Sequence, residues 1–129
     1  MDFVSRLDTV IAGTLEELAP VTDRQAAFPR AAIRALGAEG LLGLVSSKEV
    51  GGAGLGLAEA SQVVKRLAQT CPSTAMIVCM HYCAVAVIEQ MGPVDVRQAI
   101  AAGRHLGTLA FSEAASRSHF WAPAGTARR

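Results

Sequence analysis

From Ala75 to Ile88 the chain carries a fourteen-residue apolar run interrupted only by His81 and Tyr82. A membrane-spanning helix needs about 20 such residues, so the run predicts a buried core helix and no membrane partner. Pro72 suits the first turn of that helix and Gly92-Pro93 breaks it, giving bounds of about Pro72 to Met91. A helix apolar on nearly every side should be the central element, covered all round by the others.

The covering elements are legible as helices. Val4, Leu7, Ile11, Leu15 and Leu18 recur at helical spacing from Asp2 to Ala19, and Pro20 is expected to end that helix. A second runs from Phe28 through Ile33 and Leu36 to Gly40. Next come a short apolar piece, Leu41–Val45, and a glycine-rich loop over residues 46–54. A third helix spans Leu57 to Thr70, with Ala60, Val64 and Leu67 on one face, and the central helix is the fourth. Val94–Ala102 makes a fifth. From His105 to Phe111 the pattern turns to β character. The fold class is therefore mainly α: about five helices over residues 1–104, ending in the first strand of a truncated β-domain over residues 105–129. A lone strand lacks the sheet partner that its backbone groups need.

Composition narrows the function classes. Twenty-four alanines and no asparagine favour helices, and 51% apolar residues allow a core. A net charge of +1 argues against nucleic acid as a partner. The only asymmetry is slight: four basic groups and one acidic group in residues 104–129. Three cysteines make no disulfide framework, and acidic residues at positions 2, 8, 16 and 17 do not suit a secretory leader. A reduced, cytoplasmic setting is expected.

Cys71, Cys79, His81 and Cys83 invite a metal reading. Cys79 and Cys83 share a helix face, but His81 lies about 200° around from Cys79, so no metal site is expected across this set. Gly51-Gly52-Ala53-Gly54-Leu55-Gly56 suggests a phosphate loop but lacks its Gly-Lys-Ser/Thr ending, and reads as a turn between helices. No nucleophile–base pair is evident, so no catalytic residue is assigned. Met76, Cys79, Met80 and Cys83 are spaced by three and four on the central helix. They are either core or a soft apolar pocket wall.

Two motifs in order carry a resemblance. Lys48-Glu49-Val50-Gly51-Gly52-Ala53-Gly54-Leu55 and its following helix resemble the Pro-x-x-Tyr-Gly-Gly-x-Gly loop of the acyl-CoA dehydrogenase superfamily. Leu36-Gly37-Ala38-Glu39-Gly40-Leu41 is similar to that family's preceding Leu-Gly-x-x-Gly-Leu run. Some 60 residues beyond the loop, Leu109–Ser118 is similar to its flavin segment, aromatic-x-x-Thr-Glu-Pro-Gly-x-Gly-Ser. Val50 replaces the tyrosine, Ala114-Ala115 the Pro-Gly, and Arg117 a glycine.

The resemblance implies an amino-terminal helical domain of an FAD-dependent acyl-CoA dehydrogenase, usually a homo-oligomer. It places Leu109, Phe111, Ser112 and Ser118 at the flavin, with Ser118 also meeting the acyl-CoA. Met76, Cys79 and Cys83 become candidate substrate contacts. Glu113 matches the flavin-segment glutamate, and the family's catalytic base is expected in a carboxy-terminal domain that these residues do not include. A reduced-flavin monooxygenase, an acyl-CoA oxidase and a non-catalytic helical interaction module are the alternatives.

Overall fold

The computed structural model describes residues 2–110, 113, 122 and 124–126, and among them it is all helix and loop. Asp2 caps the first helix by accepting the Ser5 N–H at 2.8 Å, and those N–H contacts hold its carboxyl below the usual range. Helix α1 (Phe3–Val10), a π-helical turn (Ile11–Leu15) and α2 (Glu16–Gln25) then form one continuous rod. Contrary to expectation, the rod does not end at Pro20. The proline lies on the exposed side, where water can reach the carbonyl that its missing N–H leaves free. The left-handed residue Ala26 ends the rod instead.

Helix α3 (Arg30–Ala38) follows, then α4 (Leu57–Thr70), α5 (Pro72–Met91) and α6 (Val94–Ala101). Counting the first rod once, this is the expected set of five. Arg6 ties the rod to α3 by donating from Nη1 to the Glu39 carbonyl at 2.8 Å. The ends of α3 and α6 meet backbone to backbone: a Cβ on Gly37 would stand 2.7 Å from the Gly103 carbonyl oxygen. The core gathers Leu7, Leu15, Leu36, Leu44, Val63 and Leu67 with Val78 and Tyr82 of α5.

Helix α5 departs from the expectation that it would be wrapped on all sides. Its length and composition would let it cross a membrane, yet it packs along α4 and touches α6. Thr74, Val78, His81, Tyr82 and Val85 are buried, whereas Cys83, Ala86 and Val87 are exposed and Met76 is 63% exposed. The other helices cover one side of this 20-residue helix and leave the other open.

Of the strand expected over His105–Phe111, residues 105–110 have no regular structure and Phe111 lies outside the described residues, among which there is no strand. Gly107 is instead held by α5, its N–H donating to His81 Nδ1 at 3.0 Å.

Candidate functional site

Between α4 and α5 lies an open apolar groove of about 770 Å³. Ala60 and Val64 of α4 form one wall, Cys79, Tyr82, Cys83 and Ala86 of α5 the other, and Val45 and Leu55 close one end. Polar groups are few and peripheral: Ser61 and Lys65 on α4, and Glu89 and Gln90 near the end of α5. An apolar trough with sparse polar groups at its margins suits an elongated apolar ligand.

The sequence fits these walls to their work. Glu59 accepts the Gly56 N–H at 2.9 Å and so starts α4 at the mouth of the groove. Pro72 begins α5 without losing a hydrogen bond that a first-turn residue would otherwise make. Near the far end, Glu89 Oε2 accepts from Arg97 Nη2 at 2.7 Å and Nε at 3.2 Å, fastening α5 to α6. The pair also keeps the Arg97 guanidinium above its usual range.

The buried side of α5 does different chemistry. His81 Nε2 meets the Leu42 carbonyl at 3.0 Å, and Tyr82 Oη donates to the Leu41 carbonyl at 2.7 Å. Because Gly107 N–H occupies His81 Nδ1, the ring is neutral with its proton on Nε2. Burial pushes its pKa below the ordinary value, and nearby His105 adds to the lowering. These contacts satisfy two carbonyls of the Leu41–Ser46 segment, a largely buried stretch outside any regular helix. Sequence reasoning missed this role, although a histidine and a tyrosine inside an apolar run signal that buried polar partners must exist.

The glycine-rich loop binds nothing by its backbone. The N–H groups of Gly51, Gly52, Ala53, Gly54 and Leu55 donate to the carbonyls of Lys48, Ser47, Gly43, Ser46 and Leu44. With Gly56 given to Glu59, six consecutive donors are spent inside the chain, and a phosphate would find none. Gly51 and Gly54 take positive φ of 92° and 63°, which lets the loop fold back this tightly. The loop is therefore a turn, as expected, stiffened by a 3-10 turn at Lys48–Val50 that the sequence did not announce.

The four α5 residues expected on one broad wall do not stay together. Cys79 and Cys83 face the α4–α5 groove, while Met76 and Met80 line a smaller hollow of about 320 Å³ with Phe28, Leu106 and Thr108. Met76 and Cys83 are exposed and Cys79 and Met80 half-buried, and the four divide between two recesses. Cys79 is half-buried, and desolvation, reinforced by the neighbouring Cys83 thiol, raises its pKa. Cys71 is buried apart, accepting from Thr74 Oγ1 at 3.2 Å. No cluster of three or more metal-ligating side chains occurs among the described residues.

Of the expected flavin contacts, Leu109 is half-buried, whereas Phe111, Ser112 and Ser118 lie outside the described residues. One half-buried leucine is no cradle for an isoalloxazine, so the described side chains do not by themselves fit a flavin. Glu113 Oε2 accepts the backbone N–H groups of Ala124 and Gly125.

No curated protein and no solved structure matches the chain. Residues 2–103, the helical body with its loop and groove, match the family described as acyl-CoA dehydrogenase, N-terminal domain. Helix order, the turn at Gly51–Gly56 and the sequence match agree, and the chain belongs to that family.

Proposed function

We propose that this chain supplies the helical wall of an acyl-thioester site in an FAD-dependent acyl-CoA dehydrogenase, working in a homo-oligomer in the cytoplasm. The observation that carries the reading is the α4–α5 groove, about 770 Å³ and faced with Cys79, Cys83, Ala60 and Val64. In this reading the groove takes the acyl tail, excludes water from it and orients the thioester. A bound FAD would supply the acceptor for the β-hydrogen. The flavin-like segment in residues 105–129 would then contribute Leu109, Phe111 and Ser112 as cofactor contacts and Ser118 as a contact to both cofactor and thioester. A reduced-flavin monooxygenase or an acyl-CoA oxidase of the same superfamily would use the same wall.

Titrating the chain with butanoyl-, octanoyl- and dodecanoyl-CoA tests this, with displacement of an apolar fluorescent dye as the signal. Affinity should rise by up to about fourfold per buried methylene, the equivalent of ~0.8 kcal/mol each. Cys79→Trp should weaken the long thioesters and spare the short one. Affinity independent of chain length would overturn the reading.

A helical interaction module is the second reading, favoured by Leu57 and Met91, each more than four-fifths exposed. It predicts no response to any acyl-CoA.

A further inference from the structure

Cys79 and Cys83 stand one helical turn apart on α5, and both line the α4–α5 groove. In an α-helix, residues four apart have Cβ atoms about 5–6 Å from each other. A disulfide wants them about 3.8 Å apart, so a direct sulfur–sulfur bond would compress the helix by more than an ångström. A single bridging atom removes that conflict. Metal–thiolate bonds of about 2.3 Å, arranged near-linearly, span roughly 4.6 Å between sulfurs, which two rotating Cys side chains on successive turns can meet.

The surroundings fix the coordination number. His81 projects from the far side of α5 with both ring nitrogens engaged, by the Leu42 carbonyl and the Gly107 N–H. Cys71 is buried and accepts from Thr74. With no third ligand grouped there among the described residues, a tetrahedral zinc centre has nothing to complete it. Two thiolates on an otherwise apolar wall instead suit a soft ion content with few ligands.

We infer that Cys79 and Cys83 form a two-coordinate site for a soft monovalent ion of the Cu(I) class, held as a bis-thiolate on the wall of the α4–α5 groove. Both S–H bonds break, two metal–sulfur bonds form, and two protons leave for solvent with no change of oxidation state. The product carries one negative charge, and Lys65 on the opposite margin of the groove offers the countercharge. Because two protons leave for each ion bound, occupancy rises with pH. The site shares Cys79 and Cys83 with the wall assigned to the acyl tail, and a metal titration without thioester tests it apart from that reading.

The test is anaerobic titration of the reduced chain into the coloured Cu(I)–bicinchoninate complex. Wild type and Cys71→Ser should each withdraw one equivalent of Cu(I), with release of two protons per ion. Cys79→Ser and Cys83→Ser should withdraw none while keeping the helical circular dichroism of the parent. The inference is overturned if wild type leaves the coloured complex intact, if either groove variant still withdraws the metal, or if Cys71→Ser abolishes uptake.

Discussion

The two sides of α5 are built from the same kind of residue and do opposite things. On one, Val78, His81, Tyr82 and Val85 are buried, and the two polar members each hold a backbone carbonyl of the Leu41–Ser46 segment. On the other, Cys79, Cys83 and Ala86 line an open groove and Met76 borders a second. Hydrophobicity therefore does not distinguish the structural face from the candidate binding face here. What separates them is polar placement: the buried face contains groups that complete hydrogen bonds, and the open face contains soft groups that need none.

The largest expected effect comes from removing the polar bond-maker on the buried side. His81→Leu leaves the Leu42 carbonyl and the Gly107 N–H without partners. At roughly 1–3 kcal/mol for each orphaned buried group, a loss of about 3 kcal/mol is expected in urea unfolding. A loss below about 1 kcal/mol would erase the contrast between the faces.

The same residue gives a pH signature of intermediate size. Its pKa is lowered in the folded chain, so on acidification the unfolded chain takes up the proton first. The stability it contributes is complete above pH about 6.5 and declines below that, by up to ~1.4 kcal/mol per pH unit, until the folded pKa is passed. The difference in stability between wild type and His81→Leu, measured from pH 7.5 down to about 5, should shrink accordingly. A pH-independent difference would mean that the ring is not held neutral.

The smallest effect belongs to the open side. Met76→Gln should change stability by less than about 0.5 kcal/mol because the side chain already meets water. It should also reduce dye binding to the apolar surface. A large destabilisation would show that this face is packed after all, and the comparison would fail.

Periodicity and breakers were enough to place α4 and α5, since Leu57, Thr70, Pro72 and Met91 are where apolar spacing and Pro/Gly signals change. They failed at Pro20, where the rule that proline ends a helix gave way because the residue faces water. They also could not show that Leu41–Val45 is a buried segment with side-chain hydrogen bonds, because those partners lie 39 and 41 residues away. The resemblance identified the family, yet the candidate wall was half legible: helical spacing put Met76, Cys79, Met80 and Cys83 on one side, and only α4 and the chain at Leu106–Thr108 decide which recess each enters.

The bond from Gly107 to His81 has a mechanical consequence. His81 and Cys83 project from nearly opposite sides of one rigid rod, about 160° apart. The chain leaving the helical body at residue 107 is thus hitched to the back of the beam whose front forms the groove. An occupant that levers α5 sideways drags the hitch with it. Residues 108–110 continue directly from that hitch, so their starting point is set by α5.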